Sequence, residues 1–195
     1  MLKIHTLTLG LYQTNTYIIH DSTAKGCCII DPGYDASAIL DEVDALGLTV
    51  EAILLTHGHF DHVGAVRDIV ADTDCKVFLC EEDTKLPPMF TAGKLCYTDT
   101  YSEGSLLNIA GLYIRVLHTP GHTPGSVCLA VENTLFTGDT LFAGSCGRTD
   151  IGGDWKAIRN SLNRLAQLDG DYAVFPGHGE STALAQEKRY NPYMK

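Results

Sequence analysis

The chain has 195 residues, 45% of them apolar and 19% charged, which fits one domain spanning 1–195 and excludes a disordered or fibrous polypeptide. With 14 basic against 24 acidic residues the net charge is −10, the wrong sign for a surface that tracks phosphates, so nucleic acid is not an expected partner. No apolar run approaches the ~18 residues of a membrane span, and Met1 to Gly10 alternates in polarity, unlike an export signal. The cysteines at 27, 28, 75, 80, 96, 128 and 146 are odd in number, form no C-x-x-C pair and mostly have apolar neighbours. They read as small buried thiols in a reducing, cytoplasmic compartment.

Three strands are expected first: Leu2 to Leu9, Asn15 to His20, and Gly26 to Asp31, the last stopped by Pro32-Gly33. Ile39, Leu40, Val43 and Leu46 then fall at helical spacing over 35–46, with Gly47 where a helix stop belongs. Glu51 to Thr56 reads as an apolar strand, Val63 to Val70 as a helix and Lys76 to Cys80 as another strand. Residues 81–104, with Pro87-Pro88, read as a connection holding a short helix at most.

Four short strands follow, Ser105–Ile109, Leu112–Leu117, Ser126–Val131 and Thr134–Thr137, with Glu132-Asn133 as a tight turn between the last two. Trp155 to Leu168 carries Trp155, Ile158, Leu162 and Leu165 on one stripe behind Asp154, Tyr172 to Phe175 reads as a buried strand, and Ser181 to Tyr190 as a final helix. Two halves of similar kind in this order predict an α/β chain folded as a four-layer αββα sandwich.

The chemistry concentrates in Thr56-His-Gly-His-Phe-Asp-His62, three imidazoles and a carboxylate directly after an apolar strand. In an extended loop His57 and His59 project to one side, while Asp61 and His62 face a neighbouring point, which makes room for two metal positions. Further donors stand beside glycines at strand ends: Gly121-His122, Gly138-Asp139 and Gly177-His178. Five histidines and two carboxylates suit divalent ions, zinc first, with iron or manganese as alternatives. His118 lies four residues before His122, and spacing alone does not choose between them.

Asp31-Pro-Gly33, the T-H-x-H-x-D-H run, Thr119-Pro-Gly-His-Thr-Pro-Gly125, Thr137-Gly-Asp-Thr-Leu-Phe142 and Pro176-Gly-His178 occur in the order and approximate spacing of one family. In them the chain resembles the metallo-β-lactamase superfamily, and within it the glyoxalase II-like, single-domain branch. The resemblance implies that His57, His59 and His122 hold one metal, that Asp61, His62 and His178 hold a second, and that Asp139 bridges them. It implies thioester hydrolysis, for example of S-lactoylglutathione or another small acyl-thiol, with Asp61 and Asp139 as the catalytic carboxylates. Two cations ~3.5–4 Å apart lower the pKa of a shared water toward ~7, so no side-chain nucleophile is required. A thiol leaving group, with a pKa near ~8.5, departs with little protonation.

Arg148, in the loop after Asp139, is the expected substrate contact for an anion. His118 is read as a strand-end histidine, His5 and His20 as structural, and Cys146 as packed. Asp31 reads either as a turn former or as a carboxylate holding a metal-bound imidazole. Glyoxalase II proteins of full length add a C-terminal helical domain and place a lysine and a tyrosine where this sequence has Arg148 and Asp150, so the short, single-domain group is the expected match. The Cys146-Gly-Arg-Thr-Asp150 run also resembles the mono-iron persulfide dioxygenase branch, the competing activity, and hydrolysis of another ester or a lactone is a third. Secreted β-lactamases of similar fold have a cysteine where Asp139 stands.

Overall fold

The hydrophobic periods of the sequence resolve into two sheets, each with an inner and an outer apolar face. The computed structural model describes residues 1–91 and 93–195. One six-stranded sheet keeps chain order: β1 Leu2–Leu9, β2 Thr14–Asp21, β3 Gly26–Ile30, β4 Thr49–Leu54, β5 Lys76–Cys80 and β6 Asp99–Tyr101. Strands β1 to β3 are antiparallel and β3 to β6 parallel. The other six strands are β7 Leu106–Ile109, β8 Leu112–His118, β9 Val127–Val131, β10 Thr134–Gly138, β13 Ala173–Pro176 and β14 Thr182–Ala183, in spatial order β14-β13-β10-β9-β8-β7. Between β10 and β13 the chain forms a small hairpin, β11 Leu141–Phe142 and β12 Ser145–Cys146.

Alternation along each strand sorts its side chains between layers. Tyr17, Ile19, Cys28, Leu54, Ile114, Leu129 and Phe136 fill the space between the sheets. Ile18, Cys27, Ile29 and Ile53 point the other way, onto Ile39 and Val43 of α1 (Ala36–Ala45) and Ile69 of α3 (Val66–Thr73). On the far side Cys128, Leu135 and Val174 pack against Ile158, Leu162 and Leu165 of α5 (Trp155–Ala166) and Leu184 of α6 (Leu184–Tyr190). Helix, sheet, sheet, helix is the expected αββα order. The adjacent Cys27 and Cys28 serve opposite layers, and all seven cysteines are free, five of them buried.

Local signals account for most boundaries. Asp35 and Asp154 cap α1 and α5 by accepting from the Ala38 and Ala157 amides at 3.1 and 2.7 Å. Glu132, at φ +51°, makes the turn that pairs Val131 with Thr134. Some expectations need correction. The connection over 81–104 contains β6, which adds to the sheet edge through parallel pairing with β5. The helix expected over 63–70 is broken into α2 (Phe60–Val63) and α3, and the segment expected to be helical from Ser181 first pairs as β14. Another four-residue helix, α4 (Pro88–Thr91), lies in the 81–104 segment. Among the described residues no helix is long and apolar enough to cross a membrane.

Candidate metal centre

Strand ends from both sheets deliver the polar cluster to one place. Asp31 follows β3, the 56–62 run follows β4, Thr119 to Ser126 joins β8 to β9, Asp139 follows β10, and His178 follows β13. Backbone bonds tie these loops together: Val127 N–H donates to Thr56 O at 2.9 Å, and Gly177 N–H to Gly138 O at 2.9 Å. Two glycines have steric reasons to be there. Gly138 turns the chain at φ +47°, a left-handed conformation, and its absent Cβ leaves room for Thr56. A Cβ on Gly177 would collide with the Asp139 carboxylate and the His62 ring.

The ligand-bearing atoms of His57, His59 and His122 lie within 4.8 Å of one another, and so do those of Asp61, His62 and His178. Asp139 sits between these trios, Oδ1 at 3.4 Å from His62 Nε2 and Oδ2 at 3.5 Å from His122 Nε2 and 3.6 Å from His178 Nε2. All seven side chains singled out in the sequence therefore converge. His118 does not join them: its Nε2 donates to Pro124 O at 2.9 Å, and it stands beside Cys80 and Glu82.

Outer partners aim the imidazoles. A carbonyl only accepts, so His122 Nδ1–H donates to Arg148 O at 2.7 Å and His178 Nδ1–H to Tyr12 O at 3.0 Å, and each Nε2 turns its lone pair inward. Asp31 holds two more. Its Oδ2 accepts from His62 Nδ1 at 2.9 Å and from Thr56 Oγ1 at 2.5 Å, and that hydroxyl meets His57 Nδ1 at 3.1 Å. Asp31 is thus both things the sequence allowed, a buried turn residue at φ +49° and the carboxylate that orients one imidazole from each trio. Replacing it by Ala should weaken metal affinity by about 10–100-fold, as loss of such an orienting carboxylate does; competition with a chromophoric chelator measures this, and an unchanged affinity would count against the role.

The charges explain why the cluster calls for cations. Burial pushes His57 well below its ordinary pKa and His59 down to about 4, so both rings are neutral donors at pH 7. Burial opposes protonation of His62 as well, yet Asp139, Asp31 and Asp61 lift it to about 9; His178 is raised by Asp61 and Asp139 in the same way. Asp61 is held at about 2 by His178 and His62 against the effect of burial. Three carboxylates at the cluster demand positive charge, which protons on two histidines or divalent ions supply. Buried His57 Nε2, His59 Nε2 and Asp139 Oδ1 have no hydrogen-bond partner, which costs free energy unless they coordinate a cation. Neutral imidazoles, carboxylates and these orphaned atoms fit a pair of divalent metals.

A functional residue that sequence reasoning missed is Asp83. Fully buried below the cluster, it accepts from Gly58 N–H at 2.8 Å, Thr123 Oγ1 at 2.8 Å and Gly125 N–H at 2.6 Å, fastening the His57–His59 loop to the loop of His122. A cavity of about 530 Å³ opens over the metal-facing atoms, walled largely by apolar side chains, with Arg148 and Cys146 on its lining. Arg148 is exposed and paired with Asp150 at 2.6 Å. Burial raises the Cys146 thiol, which leaves it a poor nucleophile.

Loop ends that open clustered nitrogen and oxygen donors onto a cavity, on this four-layer frame, define a metallo-hydrolase. The chain belongs to the metallo-beta-lactamase superfamily, whose family model matches residues 9–178. It is 34% identical to the hydroxyacylglutathione hydrolase GloC of Haemophilus influenzae, over 99% of this chain and 98% of that one. Solved structures similar to it include the BLEG-1 B3 metallo-beta-lactamase (36% identity, TM-score 0.88, all of both chains) and TTHA1623 in a di-iron-bound form (38%, 0.84, 97% and 99%). ETHE1 from Myxococcus xanthus is also similar (29%, 0.86, 97% and 83%).

Proposed function

We propose that the chain hydrolyses an acyl thioester at a pair of divalent metals held by His57, His59 and His122 on one side and Asp61, His62 and His178 on the other, with Asp139 between them. The observation that carries this reading is the completeness of both trios, their lone pairs turned inward by Arg148 O, Tyr12 O and Asp31. When bound, such a pair supplies a nucleophile from water at neutral pH and draws electron density from an acyl oxygen. The protein's own part is orientation and charge. Asp61 stays ionised and, with Oδ2 at 3.3 Å from His178 Nε2, is placed to take a hydrogen bond from attacking water. A substrate seated against the apolar walls would displace water from the site and so strengthen electrostatic effects inside. Among the described lining residues, no carboxylic acid or histidine outside the ligand set stands ready to protonate a poor leaving group, which favours a thiol over an alcohol or amine.

Zinc is the first expectation for the metal, and the di-iron form of TTHA1623 makes iron the second. The likeness to ETHE1 and the Cys146 to Asp150 run support persulfide oxidation at a single iron as the competing reading. The second complete trio speaks for the hydrolase. Chelation should abolish thioester cleavage and lower the thermal midpoint, and two equivalents of metal should restore both. One iron per chain with oxygen consumed on a persulfide, or cleavage that survives chelation, would reject the reading.

A further inference from the structure

The walls of the cavity say what kind of thioester it takes, an inference that rests on the function just proposed. Phe90 lies edge-on to His59 with ring centroids 6.1 Å apart, and Phe142 lies edge-on to His178 at 6.3 Å, so apolar rings border both trios. Tyr12, Met89 and Ile151 continue that surface outward. Met89 and Tyr12 are 80% and 57% exposed, apolar area held at the mouth and left for a ligand to cover. Arg148 is the one Lys or Arg among the described residues of the lining. Its guanidinium is engaged by Asp150, with Nε to Oδ1 and Nη2 to Oδ2 both at 2.6 Å, a bidentate pair on the exposed rim that sets a carboxylate in competition with any anionic ligand for Arg148.

A carrier such as glutathione brings two carboxylates, and a carboxylate laid on these rings, away from the metal-facing atoms, loses hydration with no unpaired Lys or Arg among the described lining residues to replace it. From the apolar walls and the Arg148–Asp150 pair we infer that the substrate is a thioester of an uncharged carrier, with apolar groups on the part that enters the cavity. In the reaction one water adds its oxygen to the acyl carbon, the carbon–sulfur bond breaks with its electron pair leaving on sulfur, and the water's protons end on the thiol and the acid or in solvent. No other reactant is needed.

The test keeps the acyl group fixed and changes the carrier. Metal-loaded protein is given hexanoyl-glutathione and the hexanoyl thioester of N-acetylcysteamine, which is neutral. We expect kcat/KM to favour the neutral thioester by about tenfold or more. Asp150→Asn, which frees Arg148, should raise kcat/KM for the glutathione thioester several-fold and leave the neutral one nearly unchanged. Phe90→Ala should raise KM for the neutral thioester. Equal or better turnover of the glutathione thioester overturns the inference and leaves the hydrolase intact, and an unchanged ratio in Asp150→Asn overturns its charge argument. Failure of loaded protein to cleave either compound overturns the thioester reading itself, and this inference with it.

Discussion

Asp139→Ala should lower kcat/KM by about 10³-fold or more and reduce bound metal from two equivalents to one or fewer. Asp139 is the carboxylate that reaches both trios, 3.4 Å from His62 Nε2 and 3.5 Å from His122 Nε2, and its Oδ1 has no hydrogen-bond partner of its own. Removing a single preorganised electrostatic group commonly costs about 10²–10³ in rate; here the loss is compounded by weaker hold on the cations themselves. The fold should survive, because no strand or helix depends on that side chain for a hydrogen bond. Metal analysis, steady-state rates and the thermal midpoint of the metal-free variant check the three parts separately. Two tightly held metals together with full activity in this variant would sink the bridging role.

The ligands were legible because their chemistry is written locally. The 56–62 run is contiguous, and His122, Asp139 and His178 each follow a glycine at the end of an apolar strand. The four layers were legible for a similar reason, since Ile158, Leu162 and Leu165 mark a helix stripe and Ile18 and Ile19 take opposite sides of a strand. Strand β6 was not legible: Asp99-Thr-Tyr101 is three residues, too short for a period, and forms because an open edge of β5 pairs with it. Helix α3 begins later than its apolar pattern because the Ala65 amide leaves the helical ladder and donates to Pro32 O at 3.0 Å, which breaks the run between Val63 and Val66. The double role of Asp31 was half visible, since Asp-Pro-Gly signals a turn but says nothing about where the carboxylate points.

Asp83→Ala should be among the most destabilising single changes in the chain, at about 3 kcal/mol, because it strands the amides of Gly58 and Gly125 and the Thr123 hydroxyl in a buried space at about 1 kcal/mol or more each. For a chain of this length that lowers the thermal midpoint by roughly 6–12 °C. The bonds lost belong to the loops and not to the ions, so the metal-free protein should already show this loss, and the loaded one should lose somewhat more. Metal affinity should fall as well, since Gly58 lies between His57 and His59 and Thr123 follows His122. Asp83→Asn preserves shape and one acceptor oxygen but presents an amide donor to a site that already holds three donors, so it should rescue little. Nothing in the sequence flags this residue: its partners are 25, 40 and 42 positions away and two of them are backbone amides. Midpoints of both variants that match the parent, with and without metal, would show that the two loops hold their places without it.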